Sequence, residues 1–197
     1  MYLAGHLLAS IALAKIVHKP LGVKFLPLAM IAMAVNLIDA DHLIYYHLDD
    51  GTANSFQLHI LHQIWAFLGL AVCLLALILK PHQNFIFGIL FALFLHYGLD
   101  LLGNLFTYKL EAIIGFEVLC LATLLVLFRK DEKRLKYGLF FVGLWLFCNA
   151  VLGFQTFILH WEPHLTRGIY LTAVTLNVLA VLAFWKIFVK NGSYNIS

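Results

Sequence analysis

The sequence predicts an all-α fold: a polytopic helical membrane protein of about seven transmembrane helices, with the N-terminus outside and the C-terminus in the cytoplasm. Three observations predict it: composition, the recurrence of long apolar runs, and the segregation of basic residues. Of 197 residues, 63% are hydrophobic and 12% charged, and the mean hydropathy is +0.92. Soluble domains carry about 45–50% apolar and about 25% charged residues. The 17 Phe, 8 Tyr and 4 Trp among Leu, Ile and Ala runs are more than one small core hides, because a chain of this size leaves much of its surface uncovered.

Apolar runs of roughly 17 to 25 residues, the length that crosses a bilayer core, fall at about 3–18, 21–38, 58–80, 84–106, 110–128, 137–160 and 169–189. The first has no basic region before it and no small-residue cleavage site followed by a polar mature domain, so it reads as a first membrane helix rather than a removable signal peptide. His18, Lys19, Pro20 and Gly22 supply the stop and restart before the second. Lys80-Pro81-His82 divides the third from the fourth, and the charged run at 129–136 divides the fifth from the sixth. No Gly/Ser-rich linker and no internal period interrupts the chain, which predicts one domain over 1–197.

Eleven of the 13 Lys and Arg residues follow segments one, three, five and seven, and only Lys109 and Arg167 lie on the other side. The positive-inside rule therefore puts the odd-numbered loops in the cytoplasm. The net charge of +3 belongs to this orientation and forms no basic face with interleaved aromatics, so nucleic acid is excluded as a partner. Cys73, Cys120 and Cys148 sit inside apolar runs without CxxC spacing, implying neither disulfides nor a thiolate metal site.

The same topology, built without the acidic residues and histidines, gathers most of them on the outer side. Segment two ends in Asn36-Leu-Ile-Asp39-Ala-Asp41-His42, two carboxylates and an imidazole within four residues. Segment three opens with His59-Ile-Leu-His62, two imidazoles one helical turn apart on one face. Segment four carries His96-Tyr-Gly-Leu-Asp100 at (i, i+4). A carboxylate within membrane depth costs about 2.5–3.5 kcal/mol even on the lenient insertion scale, so Asp100 is expected to face the bundle and have a partner. His6 lies in the first turns of segment one, where Gly5 permits close approach.

Together His6, Asp39, Asp41, His42, His59, His62, His96 and Asp100 make a candidate metal-ligand set drawn from four helices. Nitrogen and oxygen donors of this kind suit zinc first, with manganese or iron as alternatives. Eight groups exceed the needs of one ion, and two ions offset their desolvation most simply. Glu111, Glu117, Gln155, His160, Glu162, His164 and Arg167 fall on the same outer side as candidate completions of a pocket.

At Gly5-His6-Leu7-Leu8, Ile38-Asp39-Ala40-Asp41-His42, His59-Ile60-Leu61-His62 and His96-Tyr97-Gly98-Leu99-Asp100, the chain resembles the membrane-bound metal-dependent hydrolases of bacterial inner membranes. The order and approximate spacing of the four motifs agree over about residues 5–100. More distantly, the pattern is similar to zinc-dependent phospholipase C and related single-strand nucleases, which implies phosphoester chemistry. The chain has Ile38 where that pattern has Pro, a shorter His-x-x-His, and no second His-x-x-x-Glu pair after Asp100.

The expectation is a metal-dependent hydrolase of the inner membrane acting on membrane lipids or a lipid-linked substrate at the outer leaflet. Asp39, Asp41 and Asp100 are the candidate catalytic carboxylates. The alternative is a non-catalytic membrane protein: a haem or ion binder, with His59 and His96 as the cross-helix haem pair, or a structural subunit of a larger membrane complex. Beside membrane lipids or a lipid-linked substrate, the candidate partners are a second copy in a homo-oligomer or a membrane-complex partner. Carboxylates clustered beside His42 and His96 favour a hard or borderline cation over haem.

Overall fold

The computed structural model describes residues 3–41, 64–105, 110–161 and 166–188. Among these residues the fold is all-helical. The helices are α1 (Leu3–Val17), α2 (Phe25–Val35), α3 (Trp65–Ile78), α4 (Gln83–Leu105), α5 (Leu110–Leu127), α6 (Arg134–Trp161) and α7 (Thr166–Phe188), with 3-10 turns at Asn36–Asp41 and Lys80–His82. Each helix lies within one of the seven apolar segments or overlaps it closely.

Two boundaries differ from the apolar pattern for identifiable reasons. The second run reads as helical to Ile38, but α2 ends at Val35 and the chain tightens into the 3-10 turn. Asn36 occupies the C-cap, and its side chain is committed to the core rather than to the helix face. The sixth helix starts three residues early, inside the charged run. There the Asp131 carboxylate accepts the Lys133 N–H at 2.9 Å and the Asp131 carbonyl accepts the Arg134 N–H at 3.0 Å. This satisfies N–H groups that a helix start otherwise leaves open.

The bundle is built around α1. Every residue from Leu3 to Ala12 is buried, so this helix is enclosed on all sides and has no outward stripe. It packs against α2, α4, α5 and α6, and less extensively against α7. Ala4, Gly5, Ala9, Ser10, Ala12 and Ala14 along it are small enough to let neighbouring backbones close in. By contrast, α3 packs chiefly on α4 and stands at the edge.

Among the described residues two helical stretches, Lys80–Leu102 and Leu171–Phe188, are long and apolar enough to cross a membrane, and Leu3–Val17, Phe25–Ala40 and Phe67–Ile78 are shorter apolar helices. At 1.5 Å per residue the 15 residues of α1 reach roughly 22 Å, short of a ~30 Å hydrocarbon core. The outer faces of the bundle are apolar. Phe67 and Ile78 on α3, Leu119 on α5, Leu139 and Phe154 on α6, and Leu182 on α7 are all more than half exposed.

The end of the bundle that holds Lys15 is closed by aromatic packing. Phe188 stacks on Tyr137 and on Phe184, each at 4.2 Å between centroids. Phe25 and Phe128 meet edge to face at 5.8 Å. The Lys15 ammonium lies 4.5 Å from the Phe128 ring centre and 4.9 Å from that of Phe25, a cation–π arrangement. This plug joins α1, α2, α5, α6 and α7 and leaves the polar chemistry to the opposite end.

Candidate metal centre

His6 lies nine residues before Lys15, about 13 Å away along α1. Around it, α1, α4 and the 3-10 turn after α2 converge. His6 is 1% exposed, His96 1%, Asn36 3% and Asp100 5%. Asp100 spans both imidazoles: its Oδ1 is 3.1 Å from His6 Nε2 and its Oδ2 is 3.4 Å from His96 Nε2. The (i, i+4) spacing on α4 makes the second contact local, whereas the first joins α4 to α1. Asp39 approaches from the 3-10 turn, with Oδ1 3.3 Å from His96 Nε2. Its side chain is 32% exposed, so it forms the open side of the cluster.

The second ring nitrogens face each other. His6 Nδ1 and His96 Nδ1 are 3.2 Å apart, and Asn36 Oδ1 is also 3.2 Å from His96 Nδ1. The Asn36 amide nitrogen in turn donates to Ser10 Oγ at 3.4 Å, four residues and one turn along α1 from His6. The imidazole rings are tilted at 59° with centroids 4.8 Å apart.

A neutral imidazole has one N–H and one lone pair. Among the described residues three junctions bring acceptors face to face: His6 Nδ1 with His96 Nδ1, His6 Nε2 with Asp100, and His96 Nε2 with Asp39 and Asp100. His96, Asp39 and Asp100 have further interactions beside these. Carboxylates gathered on buried imidazoles in this way make a site suited to a proton or a metal ion.

The donor set fits a metal ion. His6, Asp39 and His96 each offer a ligand atom, and these lie within 4.8 Å of one another. Metal–ligand bonds of 2.0–2.2 Å in tetrahedral geometry place neighbouring donors about 3.4 Å apart, close to the 3.1–3.4 Å separations around Asp100 and Asp39. The His96 Nδ1 contact to Asn36 has the form of the outer hydrogen bond that fixes a ligating imidazole.

Of the residues expected from the sequence, His6, Asp39, His96 and Asp100 are thus brought together. Asp41 closes the 3-10 turn, and its side chain lies outside the described residues. His42, His59 and His62 also lie outside them, and with them the second ion of the expected pair and the haem pair. Gln155 and His160 fall on α6 and Arg167 on α7, with their side chains outside the described residues, and Glu162 and His164 lie outside them altogether.

Two contributors were not read from the sequence as parts of the site. Ser10 and Asn36 form the hydrogen-bonded back wall, and Ser10 shares the His6 face at (i, i+4), a signal that was available. Glu117, a candidate completion of the pocket, lies alongside: on α5 and 0% exposed, it accepts Trp145 Nε1–H at 2.9 Å and Asn149 Nδ2–H at 2.8 Å on the same oxygen. Trp145 and Asn149 are one turn apart on α6, and the Gly5 backbone, adjacent to His6, faces this carboxyl. Glu117 thereby links α5 and α6 to the part of α1 that carries His6.

No protein-family model, curated protein or solved structure matches the chain.

Proposed function

We propose that the protein is a membrane-embedded, metal-dependent hydrolase that cleaves a phosphoester or similar bond in a lipid or lipid-linked substrate. The observation that carries the reading is the donor group: His6, Asp39 and His96 each bring a ligand atom within 4.8 Å of the others, and the Asp100 carboxylate lies against both imidazoles. The four-motif resemblance to membrane-bound metal-dependent hydrolases supports the same chemistry. The apolar outer faces of α3, α5, α6 and α7 support a multi-pass arrangement, because soluble monomers rarely expose large apolar patches. Lys15, Lys19, Lys24, Lys80 and the 129–136 run belong to the end away from His6. Under the positive-inside rule the site then faces the extracytoplasmic side of the cell membrane.

In this reading His6, Asp39, His96 and Asp100 hold a divalent cation, zinc by preference, which supplies Lewis acidity toward a phosphoryl oxygen and an acidified water. Asp39 is the exposed member of the set and takes the proton of the attacking water. The water oxygen forms the new bond to phosphorus as the ester oxygen departs, and the departing oxygen recovers a proton, so atoms and charge balance. Asp100 holds the two imidazoles in register, and Asn36 fixes the His96 ring. His42, His59 and His62 are the residues for a second ion.

The test is elemental analysis of detergent-purified protein, wild type beside a His96→Ala/Asp100→Ala double variant. At least one equivalent of zinc, manganese or iron per chain, lost in the variant, is the expected result. The absence of stoichiometric metal from both would overturn the hydrolase reading and leave the cluster as a buried hydrogen-bonded core.

A further inference from the structure

A cavity of about 700 Å³ lies between α2 with its 3-10 turn and the edge helix α3. Its walls are Ala34, Val35, Leu37 and Ile38 on one side, Leu68, Ala71, Val72 and Leu75 on the other, and Leu93 at the back. The α3 residues recur at i, i+3, i+4 and i+7, a single face of the helix. Because α3 packs chiefly on α4, this face is not filled by α2, and the gap remains open to the outside of the bundle.

The groove has a direction. Ile38 immediately precedes Asp39, and Leu93 lies one turn before His96 on α4, so the chain neighbours of two cluster residues stand in the groove wall. From Leu68 to Leu75 the groove runs about 10 Å along the axis of α3. An aliphatic groove whose wall includes the neighbours of a carboxylate and an imidazole matches a molecule with an anionic head and a hydrocarbon tail. Its volume is in the usual range for a built ligand site.

We propose that this groove is the hydrocarbon subsite of the cation centre. It receives the chain of a phosphate-bearing lipid whose head lies at His6, Asp39, His96 and Asp100. The inference rests on the hydrolase reading and names its substrate class: the substrate is held by its chain as well as by its phosphate. Val72 and Leu75 set how much chain the groove accepts.

The probe is oleoyl lysophosphatidate, with glycerol 3-phosphate as the head without a chain, added to zinc-loaded protein and read by native mass spectrometry. Val72→Trp fills the groove, and Leu75→Trp repeats the blockage should the first variant fail to fold. Leu119→Trp, on the exposed face of α5, is the control. The expected result is at least a tenfold loss of lysophosphatidate binding in the groove variants, with zinc content and glycerol 3-phosphate binding unchanged and the control like wild type. Equal binding of lysophosphatidate to wild type and a folded groove variant would overturn the subsite while leaving the metal reading standing. Wild type that takes up no zinc, yet still loses lysophosphatidate binding on groove filling, would overturn the metal reading and keep the groove.

Discussion

His6 Nδ1 and His96 Nδ1 lie 3.2 Å apart, from residues 90 positions apart in the chain. Two imidazole nitrogens at that distance share one proton, so each ring's tautomer constrains the other, and Asn36 at 3.2 Å from His96 biases the choice. Asn36→Ala leaves all four donors in place but releases the His96 ring. Zinc affinity is expected to fall about 10–100-fold, the usual effect of losing a partner that orients a ligand. Competition titration against a chelator of known affinity measures it, and an unchanged affinity would remove Asn36 from the centre.

The helices were legible in the sequence because runs of membrane-crossing length leave a signal that does not depend on tertiary contacts. What that signal missed was local chemistry. Asn36 turns inward to Ser10 and His96, cutting α2 short, and Asp131 caps α6 from within a charged run. At the site, the residue types and (i, i+4) spacing of His96 and Asp100 were readable. The contacts that join α1 to α4, and Glu117 to Trp145 and Asn149, arise from helix packing between positions 28 to 90 apart. A one-dimensional pattern does not specify which faces meet, so Glu117 was sorted to a side of the bundle but not to a partner.

Glu117 supplies a direct test of that packing. One of its oxygens accepts both Trp145 Nε1–H and Asn149 Nδ2–H. Glu117→Gln keeps a carbonyl acceptor and the side-chain shape, so its thermal midpoint in detergent is expected to stay near wild type. Glu117→Leu strands two buried donors, costing about 1–3 kcal/mol for each one left unsatisfied. The order Gln above Leu is the expected outcome of a thermal-shift comparison. The reverse order would mean the carboxyl is a burden that the two donors do not offset.

Gly88 on α4 is required by the closeness of Leu28 on α2. A Cβ built at Gly88 runs into Leu28 Cδ1, and Leu28 is 1% exposed, so its side chain can give way only by repacking among buried neighbours. Gly88→Ala is therefore expected to destabilise by about 1–3 kcal/mol through overpacking, despite the better helix propensity of Ala. Pairing it with Leu28→Ala restores room, so the double variant is expected to lose less than the sum of the two single changes. A thermal or denaturant double-mutant cycle reads the coupling, and strict additivity would show that the two helices do not meet there.

Metal removal should register as lost stability as well as lost chemistry. An ion that binds the folded centre but not the unfolded chain contributes RT ln(1 + [L]/Kd), about 2.7 kcal/mol at a free concentration a hundred times Kd. With His6 and His96 each 1% exposed, the unfolded chain has no equivalent preformed site. Chelator treatment is expected to lower the thermal midpoint of wild type, and zinc is expected to restore it in a concentration-dependent way. The His96→Ala/Asp100→Ala variant should respond to neither. The same midpoint with and without chelator, in protein that retains its helical circular dichroism, would remove the metal from the cluster. In that case the imidazoles and carboxylates are a structural polar core of the bundle.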